Sequence, residues 1–161
     1  MFPDLASSNL FLRLRALSVY NSFSPVYLHS KEHAQKAAEA FYQGMCENNL
    51  VLRVFSARAL QNNLENEDVH QYLLGALEKV VLQYLSLLEE IHLEELIKAL
   101  ETIVHDFYEH IAPFAVGLCE KLALAYKNIV ADEGAAEVSQ EELTAAGCMS
   151  TIKRVVSSVA A

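Results

Sequence analysis

The sequence predicts an all-α fold made of stacked helix pairs. Three observations lead there. Apolar residues recur at helical spacing through almost every stretch free of turn residues. The 161 residues hold only five Gly and three Pro against 53% hydrophobic residues, with almost no strand signature. Short fragments also return 40 residues on: Phe11-Leu12-Arg13 and Val51-Leu52-Arg53, then Ala59-Leu60 and Ala99-Leu100.

Seven helices are expected, in order. The first covers Asn9–Phe23, with Arg13 and Arg15 near its start, and Ser24-Pro25 should end it. Ser30 is a suitable N-cap for Lys31–Cys46, whose stripe is Ala34, Ala37, Ala38, Phe41, Tyr42 and Met45. Asn48-Asn49 makes a turn and caps Leu50–Asn62. After the polar link Glu65–Asp68 comes the longest helix, Val69–Glu89, where Val81, Leu82 and Leu85 widen the apolar stripe toward burial on two sides. The fifth helix is Leu93–Ile111. Leu93, Leu96, Ile97, Leu100, Ile103, Val104, Phe107, Tyr108 and Ile111 line one side of it through five turns. Pro113 then sits where a first-turn proline is tolerated, and a sixth helix runs to Val130 on Phe114, Leu118, Cys119, Leu122, Tyr126 and Ile129. Ala131–Val138 reads as a loop, and Ser139 with Glu142 forms a capping box for a last helix to Ser158.

A period near 40 with two helices per unit is the sign of a HEAT/ARM-type solenoid, an α-α superhelix in which each pair buries its faces on the next. The expected division is a half repeat 1–29 and repeats 30–64, 65–111 and 112–161. Neither end shows a polar cap, so further array neighbours are expected.

Charge is unevenly spread. Of the net −9, residues 1–61 contribute +2, residues 62–110 contribute −9 and residues 111–161 contribute −2. Direct nucleic-acid binding is therefore not expected in the middle third, whereas a basic protein suits it. Cys46, Cys119 and Cys148 are far apart, with no CxxC pair, which fits buried, reduced thiols of an intracellular protein. No 18-residue apolar run exists, so no membrane insertion is expected, and the N-terminus lacks a basic signal region.

Enzyme chemistry finds little support, and neither a metal nor a cofactor is expected. Glu67-x-x-His70 and Glu89-x-x-His92 resemble halves of a di-iron bundle site, but they flank one helix, about 33 Å apart at the helical rise per residue. His105 and His110 are i and i+5, about 140° apart on an unbroken helix, so they cannot chelate together. No Gly-rich phosphate loop or G-x-S-x-G elbow exists. What remains is the polar side of the fifth helix, on which Glu94, Glu95, Glu101 and Glu109 could face a basic ligand along the inner wall of a solenoid. The alternative is a solvated face carrying a Glu94–Lys98 pair.

Beyond the repeat, Phe2-Pro3 with Phe11–Ala16, LVLRVFSARALQNNL (Leu50–Leu64) and above all Glu95–Val130 resemble the large importin-beta receptors of the importin-seven and importin-eight branch. The resemblance covers nearly the whole chain through the order of its elements. It implies a karyopherin-type receptor in nuclear protein import, active in cytoplasm and nucleus, that carries basic cargo proteins, contacts FG nucleoporins and is regulated by Ran GTPase. The chain would be a central fragment, with the main Ran-binding segment outside it. The alternatives are a HEAT scaffold subunit of another complex and, more remotely, a metal-binding helical-bundle enzyme.

Overall fold

The computed structural model describes residues 2–27, 30–91, 93–132 and 138–159. All regular structure among them is helical. The chain divides into two compact units, Met1–Val80 and Val81–Ala161. One helix, α5 (Glu67–Glu90), contributes its first part to one unit and its second to the other.

In the first unit, α1 (Phe2–Leu5) packs on α2 (Leu10–Tyr27), and α3 (Lys31–Met45) and α4 (Leu50–Gln61) pack on each other. Each start has a chemical cause. The Asn9 side chain accepts the backbone N–H of Phe11 at 2.9 Å, Ser30 that of His33 at 3.2 Å and Asn49 that of Leu52 at 3.0 Å. These acceptors satisfy N–H groups that a helix start leaves open. Asn66 does the same for α5, accepting from Asp68 and Val69. The helix therefore begins at Glu67, two residues ahead of the expected Val69, with both acids of the first turn favoured by the helix dipole.

Ser24-Pro25 does not end α2. The helix kinks at Phe23, whose torsions (φ −129°, ψ 20°) are non-helical, and resumes through Tyr27. Proline is tolerated in a first turn, where its missing N–H would have no partner, so breaking the helix ahead of it lets the helix continue beyond it.

The core of this unit is built from small residues around a few large ones. Ala34, Ala37, Ala38, Phe41 and Met45 of α3 are fully buried, as the periodicity predicts, together with Ala57, Ala59 and Leu60 of α4. Tyr20 of α2 meets Phe41 edge to face, with ring centroids 5.4 Å apart. A Cβ on Gly44 would collide with the Ser56 side chain, so the α3–α4 spacing depends on glycine there. The buried Arg53 donates its Nε to the Met45 carbonyl at 3.1 Å, satisfying an open acceptor at the end of α3.

The second unit holds the rest of α5, then α6 (Glu94–Asp106), α7 (Tyr108–Ile111), a 3-10 turn (Ala112–Phe114), α8 (Ala115–Asp132) and α9 (Val138–Val159). The α9 helix packs on both α6 and α8. Leu96, Ile97, Leu100, Ile103 and Val104 of α6, Leu118, Leu122 and Ile129 of α8, and Cys148 and Val155 of α9 are buried. Pro113 lies in the 3-10 turn leading into α8, as expected of a first-turn proline. Lys121 of α8 reaches Glu89 of α5 at 3.1 Å.

Several expectations change here. The fifth helix is not continuous: it breaks at Phe107 (φ −114°, ψ 24°) and resumes as the single turn α7. Phe107 is buried, while Tyr108, expected on the same stripe, is half exposed. In α5, Val81 and Leu85 are buried but Leu82 is largely exposed, so the stripe widens less than predicted. At the chain's only expected loop, Ala131 and Asp132 are still helical and residues 133–137 lie outside the described residues. The α9 helix begins at Val138, one residue ahead of Ser139, and the side chains of Ser139 and Glu142 also lie outside them.

Candidate protein-binding surface of the acidic helix

Nothing caps the start of α6 with a side chain. Its first turn instead carries Glu94 and Glu95, whose charges favour the helix N-terminus through the dipole. These two acids thus have a structural reason to be present, independent of any ligand. Opposite the buried stripe, Glu94, Lys98, Glu101 and His105 follow one another at helical spacing.

Lys98 is central to this face. Its ammonium lies 2.6 Å from Glu94. The Glu94 hydrogen bond and charge, with Glu101 and Glu95 adding to them, hold Lys98 above the usual lysine range. Glu94 is the less exposed partner, at 24% against 63% for Lys98. Three of the four expected acids therefore gather around one cation. Glu95 is exposed, whereas Glu101 is partly buried.

Glu109 stands apart from them. The break at Phe107 places it in α7, where its carboxylate accepts from the neighbouring Tyr108 hydroxyl at 2.8 Å. That bond raises the Tyr108 pKa. The stripe read from sequence as one acidic side is thus two segments. Over α6 and α7 together the formal charge is −4 with neutral histidines, from five carboxylates and Lys98.

The histidine geometry also changes. His105 and His110 are exposed and lie on opposite sides of the break, so the angle of an unbroken helix does not apply to them. Glu67 and His70 sit in the first turns of α5, and His92 lies outside the described residues. Among the described residues, no group of three or more His, Cys, Asp and Glu is arranged to hold a metal.

The thiols differ from one another. Cys46 is exposed, contrary to the expectation of buried cysteines, while Cys119 is partly buried and Cys148 fully buried. Burial, aided by the charge of Glu101, pushes the Cys148 thiol up to about 11 from its usual 9.0. A raised thiol pKa means that the folded chain holds this proton more tightly than the unfolded chain. The stability this contributes is present below pH 9.0 and is lost as pH rises toward about 11. Alkaline urea titrations should show a decline of about 2–3 kcal/mol across that window, at roughly 1.4 kcal/mol per pKa unit. Cys148→Ala should flatten it. An equal decline in the variant would assign the effect to other groups.

Comparison with known proteins finds relatives by sequence. The chain is 31% identical over 161 residues to an importin beta-like SAD2 homolog of Arabidopsis thaliana, covering 99% of this chain and 16% of that protein. The chain is thus similar to importin-beta-like proteins over nearly its whole length. It is also 27% identical over 149 residues to a probable importin-7 homolog of Dictyostelium discoideum, covering 92% of this chain and 14% of that one. Importin-8 of Danio rerio is 26% identical over 158 residues, covering 97% and 15%. No family model and no solved structure matches.

All regular structure among the described residues is helical, in keeping with the all-α helical-repeat fold class expected from the sequence. The chain spans about one sixth of the length of the Arabidopsis relative, at 16%. No helix among the described residues is long and apolar enough to cross a membrane.

Proposed function

We propose that this chain is a protein-binding segment of a nuclear import receptor, built from HEAT repeats 30–64, 65–111 and 112–161 after a half repeat 1–29. The similarity to importin-beta-like proteins over 99% of the chain carries this reading. The segment binds proteins and catalyses no reaction. In the whole receptor it works between cytoplasm and nucleus, with Ran GTPase and FG nucleoporins as partners of the larger chain.

The surface offered to basic cargo is Glu94, Glu95 and Glu101 on α6, with Glu109 on α7. The concentration of net charge in residues 62–110 supports it. Lys98 opposes it, being a cation set among the three α6 acids. This opposition makes the test directional. Pull-down of a histone or a ribosomal protein should weaken by about tenfold at low salt when the four glutamates become Gln. Lys98→Gln should strengthen the same binding, because it removes the face's own countercharge. If the two variants shift affinity in the same direction, or not at all, the acidic face is not the cargo surface. Failure of the wild-type segment to retain any basic cargo would instead count against the receptor reading.

A further inference from the structure

The α8 helix is apolar on both sides. Leu118, Leu122, Ala125 and Ile129 are buried within the second unit. Opposite them, Val116 is 73%, Leu124 48% and Val130 38% exposed. Gly117, Ala123 and Ala131 are exposed with them. A helix that packs on one side ordinarily carries polar and charged residues on the other. Here two charged residues stand on that other side, Glu120 and Lys127, both exposed.

Their placement is specific. At about 100° per residue, Glu120 and Lys127 lie within roughly 20° of each other, along the line farthest from the buried side. Val116, Ala123 and Val130 flank that line on one edge, and Gly117, Leu124 and Ala131 on the other. Lys121, beyond the edge of this face, reaches Glu89. Glu120 and Lys127 have no ion-pair partner among the described residues. Two turns separate them, about 10 Å of helical rise.

We propose that a second copy of this chain docks on this face, its α8 antiparallel to the first, about a two-fold axis at Ala123. An isologous contact brings residue i opposite j and j opposite i. Glu120 and Lys127 stand almost equally far from Ala123, on either side of it. Rotation about that axis therefore sets Glu120 of each copy opposite Lys127 of the other. Val116 then meets Val130, and Ala123 meets its own counterpart. The small side chains at 117, 123 and 131 allow two helices to approach closely, because interaxial distance follows the side chains at the contact. The charges select the occupant. A basic partner would meet Lys127 and an acidic one Glu120, whereas an antiparallel second copy satisfies both, and a parallel copy would set like charges together. One helix pair makes a small interface, so the dimer is a weak one.

The test uses the whole chain in sedimentation velocity. Between about 10 µM and 1 mM the wild type should pass from monomer toward dimer. Lys127→Glu sets Glu against Glu and should weaken association by about tenfold or more. Glu120→Lys, which sets Lys against Lys, should do the same. Mixing the two variants should restore association, because each chain then carries the charges that the other lacks. Ala123→Arg, at the axis, should abolish it. Circular dichroism checks folding. If a reversal does not fold, Lys127→Gln and Glu120→Gln should each still weaken the dimer. The proposal is overturned if the wild type stays monomeric over that range, if the mixed reversals associate no better than either alone, or if Ala123→Arg leaves the dimer intact. It is also overturned if an unrelated amphipathic Leu-Lys peptide dissociates the dimer as readily as a peptide of residues 115–132, which would make the face a general apolar surface.

Discussion

Gly147→Val should lower the unfolding free energy by about 1–3 kcal/mol, read as a shift of the urea midpoint. A Cβ at Gly147 of α9 would collide with Cγ2 of Ile97 on α6. Ile97 is 1% exposed and β-branched, so its χ1 has little freedom to yield. Gly147→Ala should cost less, because alanine regains about 1 kcal/mol of helix propensity in part compensation. The cause can be separated by a double-mutant cycle. In an Ile97→Ala background the valine should be better tolerated, since space opens where it presses. If valine costs the same in both backgrounds, the close α6–α9 approach is not the reason that glycine occupies the position.

Phe107→Ala should be the most damaging single truncation in the second unit, at about 3–5 kcal/mol. Phe107 is 1% exposed at the point where α6 stops and α7 begins. Its ring is the last large side chain that α6 delivers to the core before the turn. Tyr108→Ala, one residue on and half exposed, should change stability by under about 0.5 kcal/mol. Comparable losses at both positions would mean that the break does not separate a core residue from a surface one.

The Phe107–Tyr108 pair also shows where the sequence was readable and where it was not. Helical periodicity identified most of the buried sides of α3 and α6, because burial on one face imposes a 3.6-residue period on composition, although Tyr42 and Leu93 of those stripes are only partly buried. Ser30 and Asn49 were legible as caps because their chemistry is local: a side-chain oxygen and an N–H group two or three residues on. The break at Phe107 was not. That residue is neither Gly nor Pro, and its non-helical torsion follows from how the flanking segments pack. The kink at Phe23 differs: it falls where Ser24-Pro25 was expected to end the helix, although the helix resumes beyond it.

The same division runs through the acidic surface. The Glu94–Lys98 pair follows from i, i+4 spacing and stands as read. Charge reading alone could not find that Glu101 acts on Cys148 across the α6–α9 contact, or that Glu109 belongs to another segment, because both depend on tertiary packing.

The two tight glycines carry a consequence for how such a chain can change over generations. Gly44 faces Ser56 and Gly147 faces Ile97, each across a helix pair with no room for a Cβ. Drift at one member is therefore constrained by the other. A relative that acquires a larger residue at the first position must reduce the second or widen the pair. Substitutions at 44 with 56, and at 147 with 97, should accordingly be inherited as matched exchanges, with the total volume across each contact nearly conserved while the individual residues vary.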